Sequence, residues 1–202
     1  MSLKKIALGF ALAGIVGATG AVAEKEGKFV GLNFGSASID TTVTVTNDYG
    51  SQSGTASVSK SRFGIVAGDY AAIDEDMGYR IYGFVDMGDD IYNVNANADF
   101  LYTFVKFEKA EIRGFAGAYV GAVLSPEGPT IDGTKQMFWG IDAGMNIGVR
   151  VVFLERHGID AFYRYGFLTP ETEWDFDTYA GTGKLKWGVQ QNLAGIRYTF
   201  SF

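Results

Sequence analysis

The sequence predicts an all-β protein, an eight-stranded antiparallel barrel whose strands cross a membrane. Three observations predict it: an export signal at the N-terminus, segments that alternate apolar and polar residues, and a last segment that ends on aromatics. One face of that last segment carries Ile196, Tyr198, Phe200 and Phe202. The other carries Arg197, Thr199 and Ser201, because side chains alternate between the two faces of a strand. Such a strand fits lipid on one side and a polar lumen on the other.

The N-terminus has the three parts of an export signal. Lys4 and Lys5 supply a positive region, residues 6–16 are apolar and uncharged, and a small-x-small site ends at Ala23. The alternative is an uncleaved helical anchor, but a spanning helix needs about 20 apolar residues, more than this segment offers. The predicted domains are a signal peptide at residues 1–23, cleaved after Ala23, and a barrel domain at residues 24–202.

Composition narrows the function classes. The chain has no Cys, so no disulfide framework is expected. Its net charge is −6 and it has no basic run, which disfavours nucleic acid as a partner because phosphate contacts need clustered Lys and Arg. The 28 Gly, the 15% aromatic content and only 3 Pro favour an all-β chain.

Turn signals divide the mature chain into eight candidate strands, each near the roughly 9–11 residues that a transmembrane strand needs. They are residues 28–37, 59–73, 79–87, 94–107, 111–124, 138–153, 159–168 and 185–202. The connections after the second, fourth and sixth strands are short. The long ones are residues 38–58, 125–137 and 169–184, and residues 88–93 form an intermediate one. Short periplasmic turns opposite long extracellular loops are typical of outer-membrane barrels.

The first long connection is itself patterned. Residues 41–46 alternate Thr and Val, residues 47–50 carry turn residues, and residues 51–59 return as a polar run. This pattern predicts that the first two strands continue beyond the bilayer as a polar hairpin. The alternative is a disordered loop rich in Ser, Gly and Thr.

The polar face of the strands distinguishes a membrane barrel from a soluble, lipocalin-like barrel, which would keep apolar residues inside. In the fourth, sixth and seventh strands this face carries Arg, Asp or Asn, together with Gly in the last two. Gly within a strand marks a crowded place, and Arg forms bidentate ion pairs away from bulk water. The predicted lumen charge network is Arg62, Arg80, Asp86, Asp99, Arg113, Asp142, Arg150, Asp160, Arg164 and Arg197, with Glu111.

For two sets of aromatic residues, the sequence leaves the direction or the role of the side chain open. In the second, third and fifth strands the sequence does not assign faces, so these residues point either way: Tyr70, Tyr82, Phe84, Phe115 and Tyr119. Others near strand ends fit the aromatic girdles of membrane barrels, with ordinary β-rich packing as the alternative. They are Tyr79, Tyr92, Trp139, Tyr163, Trp187 and Tyr198.

The C-terminal run Gly-Ile-Arg-Tyr-Thr-Phe-Ser-Phe, residues 195–202, resembles the assembly signal of small Gram-negative outer-membrane barrels, the OmpX and OmpA-barrel group. In that signal Tyr198, Phe200 and Phe202 would be read by the outer-membrane assembly machinery. The resemblance implies a monomer in the bacterial outer membrane. Its expected partners are outer-membrane lipid, lipopolysaccharide and host or surface ligands that reach the loops.

No catalytic, cofactor or metal site is predicted. His157, the one His, falls in a short turn at the rim opposite to that where barrel enzymes carry their catalytic groups, and it is expected to be a solvated turn residue. Acidic pairs in the long connections fit either cation binding, including bridges to lipopolysaccharide phosphates, or a solvated rim. They are Asp89, Asp90, Glu171, Glu173, Asp175 and Asp177.

The leading functional interpretation is a non-enzymatic outer-membrane barrel with a charge-filled lumen and a structural or surface-interaction role, such as adhesion or membrane integrity. One alternative is a small-solute pore, because Gly-rich strands leave room between the charged pairs. The other is a lipid-modifying outer-membrane enzyme that acts without His.

Overall fold

Eight antiparallel strands, each hydrogen-bonded to the next, close into a barrel in the computed structural model, which describes residues 27–47, 49–107, 110–126, 130–131, 133–178 and 181–202. The barrel strands are β1 (Gly27–Asn47), β2 (Gly50–Ala72), β3 (Met77–Gly88), β4 (Ile91–Lys106), β5 (Ala110–Ser125), β8 (Phe138–Phe153), β9 (His157–Gly166) and β11 (Gly181–Ser201). Pairing of β1 with β11 closes the ring. The predicted signal peptide and its cleavage point lie outside the described residues.

Three further strands belong to the connections. β6 (Thr130–Ile131) and β7 (Thr134–Lys135) form a small hairpin of their own. β10 (Glu171–Thr178) pairs with the first half of β11, so the predicted loop at residues 169–184 is largely strand. We call the end of the barrel that carries these additions the long-connection end and the opposite one the short-turn end. No helix in the described ranges is long and apolar enough to cross a membrane.

The predicted polar hairpin is confirmed. β1 and β2 stay in register from the barrel wall out to the pair Asn47–Gly50 at the tip. Hydroxyl pairs cross between the strands: Thr42 with Thr55 at 3.0 Å, Thr44 with Ser53 at 3.1 Å and Thr46 with Ser51 at 3.1 Å. β-branched residues and cross-strand hydroxyl bonds favour paired strands, which explains why this segment is not a loop.

The intermediate connection predicted at residues 88–93 is wrong. β3 and β4 pair up to Gly88 and Ile91, which leaves a two-residue turn at Asp89 and Asp90. Both residues have positive φ, 44° and 62°. A type I′ hairpin turn needs positive φ at both central positions, and Asp tolerates that conformation better than most residues.

The strand faces follow the predicted alternation. Apolar residues of the outer wall are exposed, with Phe34 at 64%, Ile196 at 62% and Ile147 at 60%. The aromatic residues whose direction the sequence left open all turn inward: Tyr82, Phe84, Phe115 and Tyr119 are buried, and Tyr70 packs against the buried core. The barrel therefore has an apolar exterior and an interior in which charges and aromatics are mixed.

The girdle prediction holds only in part. Tyr79 and Tyr198 face outward near the short-turn end, and Trp139 faces outward near the long-connection end. Tyr163 also faces outward, but it pairs with Ile147 in the middle of the wall. Trp187 is wrong as a girdle residue, because its side chain lies on the inner face of β11 against the buried core.

Candidate functional site in the barrel lumen

The ten charged residues singled out in the sequence all lie inside the barrel. Each is between 0% and 8% exposed, although Arg and Asp side chains are almost never buried without partners. The alternation of the strands accounts for this placement. The residues next to each charged residue in sequence face the lipid, so the charged side chain itself faces the lumen. How these charges are satisfied determines what the lumen can do.

Asp160 of β9 is the centre of the network. Its carboxylate accepts hydrogen bonds from Arg80 Nη1 at 2.7 Å and from Arg150 Nη1 at 2.6 Å, and Arg197 Nη1 lies at 3.5 Å. Arg150 also donates to Thr199 Oγ1 at 2.8 Å. Arg80 belongs to β3, which lies across the lumen from β9 in the strand order. This bond therefore ties opposite walls of the barrel together.

Asp99 of β4 forms a second centre beside it. It accepts hydrogen bonds from Arg80 Nε at 2.9 Å, from the Tyr82 hydroxyl at 3.0 Å and from Asn146 Nδ2 at 3.1 Å. Asn146 is on β8, so this contact also crosses the lumen. Arg80 is thus shared by two carboxylates.

Arg164 bonds to amides instead of a carboxylate. Its Nη2 donates to Asn97 Oδ1 at 2.8 Å and its Nε to Asn146 Oδ1 at 3.2 Å. The sequence places both Asn residues on polar strand faces, but their role in holding an arginine was not predicted. Amide oxygens are acceptors that satisfy a guanidinium without adding charge.

Aromatic faces compensate for the excess of arginine at the centre. Phe115 lies under the Arg80 guanidinium, with 4.3 Å from Cζ to the ring centroid, and Tyr119 lies 4.1 Å from that of Arg164. Phe162 lies 4.7 Å from that of Arg197. A cation over an aromatic face gains about 2 kcal/mol when the pair is desolvated. The faces of Phe115 and Tyr119 are not assigned by the sequence pattern, so these contacts could not be predicted from it.

Further pairs lie nearer the two ends. Arg62 binds Asp86 through two nitrogens and donates to the carbonyls of Gly88 and Ile91 at 3.1 and 3.0 Å, just below the β3–β4 turn. Toward the short-turn end, Arg113 Nε donates to Glu111 at 3.0 Å. Both pairs are local, within or between neighbouring strands.

Asp142 is the exception among the predicted acids. Its carboxylate accepts a hydrogen bond from the Tyr119 hydroxyl at 3.2 Å, and within the described part of the chain no ion pair to a cation is formed. The expected Arg–Asp pairing therefore does not extend to Asp142.

The crowding expected at the glycines is visible at Gly158. A Cβ at this position would overlap the Arg150 guanidinium, the group that bonds Asp160 and Thr199. Gly158 thus leaves the space that a long charged side chain needs inside a narrow barrel.

His157 lies outside the lumen and is not the solvated turn residue expected. It begins β9, and its Nδ1 is 2.8 Å from the Tyr198 hydroxyl. Its ring stacks on Phe153 at 5.2 Å and meets Phe200 edge-on at 5.3 Å. The residue is therefore half-buried in an aromatic cluster at the short-turn end, together with two of the three predicted assembly residues. The third, Phe202, is 63% exposed on the outer wall.

Three of the acidic residues at the long-connection end, Glu171, Glu173 and Asp89, are paired with lysines. On β10, Glu173 accepts a bond from Lys184 Nζ at 2.6 Å, and Glu171 pairs with Lys186. The bond from Lys184 lowers the pKa of Glu173, which stays charged to lower pH than a free Glu. Asp89 pairs with Lys60 at 2.8 Å. Within the described residues no three His, Cys, Asp or Glu side chains form a group that could hold a metal ion, and the Asp177 side chain lies outside them.

An apolar outer wall around a lumen filled with charged side chains defines a small, eight-stranded transmembrane β-barrel of the outer-membrane type. Solved structures similar to this chain include the Neisserial surface protein A, NspA, which is 13% identical over 84% of this chain and 97% of its own, with a TM-score of 0.42. OprG from Pseudomonas aeruginosa is 12% identical over 87% and 97%, with a TM-score of 0.48. The N-terminal barrel domain of Pseudomonas aeruginosa OprF is 14% identical over 83% and 99%, with a TM-score of 0.42.

No protein-family model matches the chain, and no curated protein sequence matches it either. The solved structures above are similar in architecture, and none of them transfers a function to this chain.

Proposed function

We propose that this protein is a non-enzymatic protein of the bacterial outer membrane, in which a closed barrel anchors strands that interact with the cell's surroundings. The proposal includes export with cleavage after Ala23, a monomeric state, and assembly through Tyr198, Phe200 and Phe202. Two of those residues, Tyr198 and Phe202, are exposed on the outer wall, where assembly machinery and lipid are able to contact them.

The cross-lumen network is the observation that carries this proposal. The bond from Arg80 on β3 to Asp160 on β9 joins opposite walls in the middle of the barrel, and the bond from Asn146 on β8 to Asp99 on β4 spans the strand β5 that lies between them. An eight-stranded barrel is only wide enough for side chains to fill, so charges that bond across it leave little room for a solute. This favours an anchor over a small-solute pore.

The long-connection end supplies the surface that would interact. There β2, β1, β11 and β10 continue beyond the barrel wall as one sheet, in that order. Its outer face carries the Thr–Ser hydroxyl pairs of the hairpin and the paired lysines and glutamates of β10 and β11. In outer-membrane barrels the end with the longer loops is extracellular. This face would therefore meet lipopolysaccharide head groups and host or surface ligands.

The test compares cells that express the protein with cells that express a trimmed hairpin. In the trimmed variant Asn-Gly replaces residues 44–53 and joins Val43 to Gly54, which are already paired, through a two-residue turn. We expect cells with the full protein to attach to glass or to an epithelial layer several-fold better than vector-only cells. We expect the attachment of cells that express the trimmed variant to fall to that of the vector-only cells.

The controls keep this test specific. Folding is followed by heat-modifiable gel mobility and surface amount by labelling of intact cells, and Asp76→Asn at the short-turn end serves as a variant that should attach normally. Attachment of the trimmed variant at the full level, or of the full protein at the vector level, would contradict the proposal. A new lipid A species in mass spectra of expressing cells would instead support the lipid-modifying alternative.

A further inference from the structure

The inner wall of the barrel becomes apolar at the long-connection end, beyond the charge network. There a cavity of about 170 Å³ opens, lined mainly by Ile39, Ile91, Val123, Phe138, Trp187 and Val189. We call this cavity the mouth pocket. Its polar lining is limited to Thr41, Ser125 and the rim residue Asp89. None of the lumen arginines lines it.

The floor of the mouth pocket is buried and part of its rim is half-buried. Phe138 and Val123 are each 1% exposed and Ile39 is 2% exposed, so the floor is part of the packed core. Trp187 and Ile91 are half-buried and pack against that core from the rim. Within the described residues, the more accessible side of the cavity is therefore that of Trp187 and Ile91.

We call the sheet that β2, β1, β11 and β10 form beyond the barrel wall the extracellular sheet, after its proposed location. It continues the apolar wall of the pocket away from the barrel. The inward face that holds Ile39 and Val189 continues through Val43 on β1 and through Leu185 on β11, because alternate residues share a face. On β10, Trp174 pairs with Leu185 and packs against the same core. The sheet is therefore polar outside and apolar toward the mouth of the barrel.

Charge at the mouth pocket is restricted to its rim. Asp89 is the charged residue of the lining, and its Oδ2 forms an ion pair with Lys60 Nζ at 2.8 Å. A protein cavity of about 150 Å³ that is lined by aliphatic and aromatic side chains is large enough to bind benzene. The mouth pocket is of this size, and Phe138 and Trp187 offer aromatic surfaces for edge or stacked contacts.

We propose that the mouth pocket binds a small, uncharged molecule with a single aromatic ring. The cavity volume sets the size of the ligand, and the aliphatic and aromatic walls select against a charged one. This site is independent of the surface role proposed above, because it lies on the opposite face of the extracellular sheet.

The test uses Trp187 as a reporter, with the protein in lipid nanodiscs. Replacing Trp139 and Trp174 by Phe leaves Trp187 as the only Trp of the chain. Titration with 4-bromotoluene, a neutral heavy-atom quencher, should quench this fluorescence in a saturable manner above the linear background from lipid. Val123→Phe, which fills the pocket, should weaken the saturable part at least ten-fold.

Val120→Phe is the matched control. It lies on the same strand but faces lipid at 55% exposure, so its quenching should equal that of the parent. Toluene should compete with the quencher, whereas benzoate, with the same ring and a negative charge, should not. Quenching that is linear and equal in all variants would overturn the proposal, as would competition by benzoate. If Val123→Phe fails to fold by gel mobility, Ile91→Phe at the rim replaces it.

Discussion

At the scale of single residues, Asp160 is the carboxylate on which most of the ion pairing in the lumen depends. It is 0% exposed and faces three arginines, two of which lie within 2.7 Å of its oxygens. Removing one partner of a buried ion pair leaves an uncompensated charge, which costs more than the pair itself contributes. The network is therefore most sensitive at this one carboxylate.

Asp160→Asn keeps the shape of the side chain and removes its charge. We expect the free energy of unfolding to fall by roughly 3–5 kcal/mol, because the change leaves three buried guanidinium groups around a neutral amide. Urea unfolding of the barrel in lipid vesicles, followed by tryptophan fluorescence, measures this. Asp175→Asn on exposed β10 is the control, with an expected loss of less than about 1 kcal/mol. A loss that small at Asp160 would mean that the network contributes little to stability.

The sequence predicts which residues are charged inside the barrel, but not how each is satisfied. Arg197 and Asp160 are identifiable because each sits between lipid-facing apolar neighbours. The contacts of Arg164 with Asn97 and Tyr119 cannot be identified from the sequence, because they join β9 to the non-neighbouring strands β4 and β5. Such contacts depend on the strand tilt and on the choice of rotamer, which one strand's periodicity does not report.

At the scale of elements, most differences between the predicted and the observed secondary structure lie in the connections between the barrel strands. All eight barrel strands are predictable from the sequence, although the faces of β2, β3 and β5 are not, because their alternation is less regular. β10 is different, because its acidic residues resemble a solvated rim and its strand character depends on pairing with the lysines of β11. The same pairing turns Trp187 away from the lipid interface and toward the mouth of the barrel.

The β3–β4 turn shows how a short connection can be tested. Val at position 90 would have to adopt the φ of 62° that Asp90 has, a conformation that costs a β-branched residue about 1–2 kcal/mol or more. We therefore expect Asp90→Val to lower the free energy of unfolding by that amount in the same urea assay. Asp90→Gly should leave it unchanged or raise it. Equal stability of the Val and Gly variants would show that this turn is not type I′ in the membrane.

At the scale of the whole molecule, the two ends of the barrel differ in chemistry. The short-turn end carries aromatic packing around His157 on the outside of the barrel and local ion pairs such as Lys106 with Asp76 at 2.8 Å. The long-connection end opens into an apolar pocket beneath the sheet that β2, β1, β11 and β10 form beyond the barrel wall. Between them lies the cross-lumen network, which separates the two compartments. This arrangement is the basis for the proposed role of the protein as an anchor with a binding face on one side.

Single-channel recording in planar lipid bilayers tests the closed lumen most directly. The protein is inserted from vesicles in which gel mobility shows that it is folded, and protein-free vesicles give the baseline. We expect no steady conductance steps above that baseline, because Arg80 bonds to Asp160 on the opposite wall and Arg164 bonds to Asn97 three strands away. Reproducible, steady steps from the folded protein would contradict the closed lumen and would favour the small-solute pore.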